Sequence, residues 1–243
     1  MDESRGREGE VKESGVSESS VSPDLLDRLE RLVELKDVPR TGWVLRGIRD
    51  PESVADHSWG TAQLCLLLAP PGIDRNRAIM IALVHDLAEV ETGDIPRRVA
   101  PGAQTLSEAE KHRREEAAMR NLTAAVEHAG VGASSTPGPY PTERLEEIRS
   151  LWEEYLLGET GEAQFARDMN LIDMCLQAVV YQRGARYEPG AGAENFPDYP
   201  ALDEFFATCR ERFLTTAGRD LYRALWSRYR TLRDEDKGIA HRG

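Results

Sequence analysis

Six successive apolar residues, Ile79-Met80-Ile81-Ala82-Leu83-Val84, run directly into His85-Asp86 and then Glu89. A segment apolar nearly all round predicts the most buried helix of the fold. The ionisable groups that follow it then border the interior, where an unpaired charge costs several kcal/mol unless a partner or metal compensates it. On a helix expected from about residue 74 to 90, His85 and Glu89 are four apart and Asp86 and Glu89 three apart, so the three project toward one side. Any fold for this chain must bury that helix and neutralise the charge at its end.

The flanking sequence is helical in the same sense. Leu25, Leu26, Leu29, Leu32, Val33 and Leu35 recur at spacings of three and four, and a turn-like Val38–Gly42 follows. Ser53 with Asp56 three residues later predicts a capping box and a helix to about Leu68, before Pro70-Pro71-Gly72. Thr92-Gly93-Asp94-Ile95-Pro96 ends the central helix. Further helices are expected at about 106–130, 142–157, 160–183, 200–216 and 218–234, with a Gly/Ser/Pro-rich loop from 130 to 141. No segment alternates strictly enough for a strand, so the fold class is all-α. Residues 1–22 are Ser-, Glu- and Gly-rich and predict a disordered tail, 23–235 a single domain and 236–243 a flexible end.

Composition excludes several functions. A net charge of −12 opposes binding to a nucleic-acid polymer, whose affinity comes largely from Lys and Arg displacing counterions. No segment has the roughly 20 apolar residues of a membrane span, and the acidic N-terminus lacks the pattern of a signal peptide, so a cytoplasmic protein is expected. Cys65, Cys175 and Cys209 are scattered and odd in number, which predicts three small buried hydrophobes and no disulfide framework. His112 and His128 fall on a highly charged helix whose solvated face accounts for them.

His57 lies on the helix that Ser53 opens, and a later helix offers Asp168, Asn170 and Asp173 as oxygen donors. Two imidazoles with carboxylate or amide oxygens suit a divalent transition ion better than Ca²⁺ or Mg²⁺, which favour oxygen shells. The patterns H-E-x-x-H, G-x-G-x-x-G, G-x-S-x-G and the P-loop are absent.

Five segments in order carry a resemblance: Pro39-Arg40-Thr41-Gly42-Trp43-Val44, Pro51-Glu52-Ser53-Val54-Ala55-Asp56-His57-Ser58, His85-Asp86-Leu87-Ala88-Glu89, Thr92-Gly93-Asp94-Ile95-Pro96 and Glu110-Lys111-His112-Arg113-Arg114-Glu115-Glu116. Over roughly residues 24–185 the chain resembles the HD-domain 5′-deoxynucleotidases. The resemblance implies an all-helical HD fold, usually homodimeric, that holds a metal and hydrolyses deoxynucleoside 5′-monophosphates; the imidazole ligands make Co²⁺, Mn²⁺ or a similar transition ion the expected metal. Carried over residue by residue, it implies His57, His85 and Asp86 as ligands, Glu89 and Asp94 as catalytic and sugar-facing residues, and Arg40 and Trp43 as contacts to phosphate and base. The chain departs from the family at the fourth ligand, where Asn170 stands in place of Asp.

The residues suit the chemistry. A phosphate monoester repels a nucleophile, and a divalent ion both neutralises that charge and acidifies a water. Glu89 can orient the water or pass a proton to the leaving oxygen, and Arg40 can pair with phosphate in a forked geometry. For Trp43 a buried anchoring role, and for Asp94 a capping role, are the alternatives. Two other functions compete: a biosynthetic phosphatase for a modified nucleotide or phosphorylated precursor, and a nucleotide-binding protein impaired through Asn170.

Overall fold

The computed structural model describes residues 23–99, 103–104, 106–124, 143–188 and 190–240. The expected tail at 1–22, the loop at 130–141 and His128 lie outside these residues. Among the described residues there are ten α-helices and two short 3₁₀ turns; the single β-type contact is an isolated antiparallel bridge between Pro39 and Ser53.

The helices are α1 (Pro23–Val33), α2 (Thr41–Leu45), α3 (Val54–Leu68), α4 (Arg75–Val84), α5 (Glu89–Thr92), α6 (Glu108–Thr123), α7 (Glu143–Leu157), α8 (Gly161–Arg183), α9 (Asp203–Cys209) and α10 (Thr216–Ala240). The capping box forms as read: Ser53 Oγ accepts from Asp56 N at 3.1 Å, and the Asp56 carboxylate accepts from Ser53 N at 2.9 Å. Asp74, Ser107 and Thr160 cap α4, α6 and α8 through their side chains. Each satisfies backbone N–H groups that a helix start otherwise leaves unpaired.

The most buried helix is α8, a correction to the sequence reading. It packs against α3, α4, α7, α9 and α10, and buries Phe165, Met169, Ile172, Cys175, Val179 and Tyr181 among others. Helix α4 buries only Ala78, Ile81 and Ala82, whereas Leu83 is 50% and Met80 37% exposed. Its apolar character is all-round, but its neighbours α3, α7 and α8 leave part of the circumference uncovered.

The helix expected to run on to residue 90 stops at Val84. From His85 to Ala88 the chain tightens into successive turns, with Leu87 N bonded to Val84 O, Glu89 N to Asp86 O and Val90 N to Leu87 O. Bonds of this i→i+3 type wind the chain to about three residues per turn, so His85, Asp86 and Glu89 do not follow α-helical spacing. The turn expected over Val38–Gly42 gives way at Thr41 to helix α2. It is only five residues long, too short for periodicity, and its first N–H, Thr41 N, is capped from afar by the Asp94 carboxylate.

The expected helix at 200–216 is confined to Asp203–Cys209. Buried Asp168 accepts from Leu214 N and Thr215 N, each at 2.8 Å, and so fixes the bend between α9 and α10. Helix α10 continues to Ala240, past the end expected at about 234. The three cysteines are free and buried, as predicted. Among the described residues no helix is long and apolar enough to cross a membrane.

Candidate active site

Three elements meet at the end of α4. The first turn of α3 supplies His57, the tight turn after α4 supplies His85 and Asp86, and the middle of α8 supplies Asn170. One ligand atom each from His57, His85 and Asp86 lies within 4.8 Å of the others. His85 Nε2 is 3.1 Å and His57 Nε2 3.8 Å from Asp86 Oδ2, and Asn170 Oδ1 is 3.0 Å from His57 Nε2.

Hydrogen bonds behind these groups decide what the front presents. His57 Nδ1 donates to Asp173 Oδ2 at 2.7 Å, and His85 Nδ1 donates to the Ala82 carbonyl at 2.7 Å. In both neutral rings the proton is thereby placed on Nδ1, leaving a lone pair on Nε2. Asn170 Nδ2 donates to the Tyr155 hydroxyl, which turns Oδ1 toward His57. With His57 neutral, four acceptors converge here, and the buried His85 Nε2 has no hydrogen-bond partner among the described residues. A cation relieves that arrangement, and two imidazoles with two oxygens fit a divalent transition ion.

In the metal-free chain a proton can relieve it instead. Burial and Arg40 lower the His57 pKa, but Asp173 and Asp86 outweigh them and raise it above the ordinary value. Burial would raise Asp86, yet His85, Arg40 and His57 hold it well below the usual carboxylate range.

Glu89 borders the cluster and is 2% exposed. Burial raises its pKa well above the usual value, and the Asp86 and Asp94 carboxylates raise it further. Among the described residues its Oε2 has no hydrogen-bond partner, and Lys111 Nζ stands 3.7 Å from Oε1. Arg40 Nη1 lies 3.3 Å from Asp94 Oδ1 and 3.5 Å from Asp86 Oδ2. Asp94 also accepts from Thr41 N at 2.5 Å, and its carbonyl accepts from Thr41 Oγ1 at 2.8 Å, so it locks the Arg40–Thr41 segment. Trp43 is 1% exposed, stacks on Phe205 with ring centroids 3.8 Å apart and donates from Nε1 to Glu52 Oε1 at 2.8 Å.

The cluster opens into a cleft with two lobes. The first, about 800 Å³ including its open mouth, has apolar walls from Trp43, Met174, Phe196 and Phe205, with Arg40, Glu89 and Asp94 near the cluster. The second, about 1470 Å³, is more polar and is reached past His85, Tyr155 and Arg167. Asp86, Lys111, Asn170 and Arg212 line both.

All eight site residues read from the sequence thus lie at or around one cluster, while Asp168 faces the α9–α10 bend. Sequence reading passed over Lys111, although it sits within the quoted Glu110–Glu116 segment. Asp173, offered by the sequence as an oxygen donor, lies three residues beyond Asn170 on the same face of α8 and supports His57 from behind. Tyr155 and Arg212 carry no local pattern that marks them.

A family model described as HD domain matches residues 32–198. The 5′-deoxynucleotidase HDDC2 of Homo sapiens is 37% identical over 187 residues, covering 73% of this chain and 82% of that protein. The Xenopus laevis protein of the same name is 38% identical over 164 residues, covering 68% and 72%. Among solved structures, the PH0347 protein of Pyrococcus horikoshii OT3 aligns with a TM-score of 0.59 at 28% identity, covering 84% of this chain and 98% of that one. Because the match spans the segments that build the cluster, and extends over most of each relative's length, this chain belongs to the HD domain family.

Proposed function

We propose that this protein is a metal-dependent phosphohydrolase that releases phosphate from deoxynucleoside 5′-monophosphates. One observation carries the reading: four atoms able to ligate a metal, His57 Nε2, His85 Nε2, an Asp86 oxygen and Asn170 Oδ1, converge at the floor of a cleft that has a cation and an apolar wall beside them. The 5′-deoxynucleotidase relatives support the substrate class.

His57, His85, Asp86 and Asn170 hold a divalent ion, with Co²⁺ and Mn²⁺ preferred over Mg²⁺ because imidazole favours the transition ions. When bound, such an ion neutralises phosphate charge and acidifies a water. The guanidinium of Arg40 meets phosphate oxygens from the first lobe. Burial alone would lower its pKa, but Asp94, Asp86 and Glu89 raise it, so it remains charged throughout. Glu89, whose pKa burial raises, gives its proton to the leaving 5′ oxygen. Lys111 then stands beside the carboxylate that remains. Asp94 positions Arg40, and Trp43 forms the rigid wall against which the base lies. The apolar first lobe takes the nucleoside.

The protein works as a homodimer in a reducing compartment such as the cytoplasm. Exposed Trp59 and Leu67, eight residues apart on α3, supply an uncovered apolar face, and three free cysteines fit a reducing environment.

Phosphate release from a panel of nucleoside monophosphates, with Co²⁺, Mn²⁺ and Mg²⁺ in turn, tests the function. Deoxynucleoside 5′-monophosphates are expected to be cleaved fastest with Co²⁺ or Mn²⁺. Full activity in excess EDTA after dialysis would exclude the mechanism.

A further inference from the structure

The second lobe of the cleft holds four cationic side chains, Arg97, Lys111, Arg167 and Arg212. Two of them have counter-charges: Arg97 pairs with Glu108 at 2.8 Å, and Lys111 with Glu115 at 3.4 Å. Arg167 and Arg212 do not. Among the described residues neither guanidinium makes an ion pair or a hydrogen bond, although Glu211 also lines the lobe. Arg167 is half-buried and Arg212 exposed, so both stand at the mouth of the lobe with donors open to an incoming anion.

Both arginines are placed by the fold. Arg167 precedes Asn170 by three residues on α8, so the two share a face and the guanidinium projects into the lobe beside the cluster. Its Nη1 packs so tightly over Gly158 that a Cβ there would collide with it, and Gly158 has φ +64, a conformation that favours glycine. Its guanidinium carbon lies 5.8 Å from the centroid of the Tyr155 ring. Arg212 comes from the bend after α9 that Asp168 fixes, and it lines both lobes. Desolvation lowers the Arg212 pKa, and the Arg97 and Arg167 cations lower it further, so like charges crowd here.

Resting on the phosphohydrolase reading, we propose that Arg167 and Arg212 form a second phosphate-binding pair that reaches the phosphoryl group from the second lobe and retains inorganic phosphate after the nucleoside leaves. Arg40 lines only the first lobe and Arg167 only the second, so the phosphoryl group lies between guanidiniums from two sides. Forked guanidinium donors match phosphate oxygens in number and geometry.

The test is calorimetric titration of inorganic phosphate into the Co²⁺-loaded full chain, its Arg167→Ala and Arg212→Ala variants, and Arg120→Ala as a control outside the cleft. Each cleft variant should bind phosphate roughly tenfold more weakly or worse, as loss of a charge-assisted contact implies. Arg120→Ala should match the parent, and Arg167→Lys and Arg212→Lys should recover part of the affinity. Thermal unfolding and Co²⁺ content establish that each variant is folded and loaded; were an alanine variant unfolded, the lysine variant decides by its weakened forked pairing. Unchanged phosphate affinity in the variants would overturn the proposal. So would a parent chain that binds Co²⁺ and hydrolyses nucleotides yet does not bind phosphate. A parent chain that neither binds Co²⁺ nor hydrolyses any monophosphate would instead remove the phosphohydrolase reading itself.

Discussion

Asp173 Oδ2 holds Nδ1 of His57 at 2.7 Å, and this bond from behind turns the opposite nitrogen of the ring toward Asp86 and Asn170. Partners of this kind fix the tautomer and orientation of a metal-ligating imidazole, and their loss typically weakens metal affinity by about 10- to 100-fold. Asp173→Ala is therefore expected to bind Co²⁺ more weakly by that factor while keeping its helical circular dichroism. Equal affinity in parent and variant would show that the contact does not position the ring.

Metal and proton compete for His57, because Asp173 and Asp86 raise its pKa against the opposing effects of burial and Arg40. Below that raised pKa the ring carries two protons and must lose one to become a ligand. Co²⁺ affinity should fall by up to roughly tenfold per pH unit below it and level off above it. Calorimetry in buffers of different ionisation enthalpy should register proton release near the His57 pKa. Binding without proton release across that range would contradict this assignment.

Glu89→Gln removes the transferable proton while preserving shape. Turnover should drop by about two to four orders of magnitude with metal content unchanged. In the parent, the rate should decline as pH rises through the elevated Glu89 pKa, and this limb should be missing from the residual activity of the variant. Loss of metal from Glu89→Gln would make the residue a ligand instead.

Arg40→Ala should raise KM for deoxynucleoside monophosphates by roughly tenfold to a hundredfold, the worth of a charge-assisted contact. Asp94→Asn should raise KM in the same direction, because it weakens the bonds that hold the Arg40–Thr41 segment. An unaltered KM for every substrate cleaved would remove Arg40 from the site.

The helical class and the α3 capping box are legible in the sequence because each is encoded by spacing within a few residues, whereas His57, far along the chain from His85 and Asp86, is joined to them only through the resemblance to a known family. What was misread depends on contacts between distant segments. The apolar run in α4 looks like the centre of the fold, but only packing partners decide which helix is enclosed, and α8 is the one surrounded. Helix α2 depends on Asp94, more than fifty positions away. Continuation of α4 to residue 90 was expected from its apolar content, whereas the chain tightens after Val84 and aims His85 and Asp86 individually. Asp173 lay in plain view on α8, yet its hold on His57 needs the α3–α8 packing to be known.

Asn170 stands where the resemblance leads one to expect Asp. Its Oδ1 faces His57 and its Nδ2 is engaged by the Tyr155 hydroxyl, whose pKa burial pushes up to about 12, keeping it neutral. Asn170→Asp adds a negative charge to the shell, and the Tyr155 hydroxyl can rotate to donate to it. The variant should bind Mn²⁺ or Co²⁺ more tightly and turn over at least as fast. Weaker binding and slower turnover would mean that the amide is adapted to this site.

The central claim is that His57, His85, Asp86 and Asn170 together hold one divalent ion, and titration of Co²⁺ into chelator-treated protein measures it most directly. One equivalent should bind, with a visible absorption spectrum characteristic of nitrogen and oxygen ligands, and both should disappear in His85→Ala and His57→Ala while the helical signal persists. Co²⁺ binding of unchanged stoichiometry and spectrum in both variants would contradict the account.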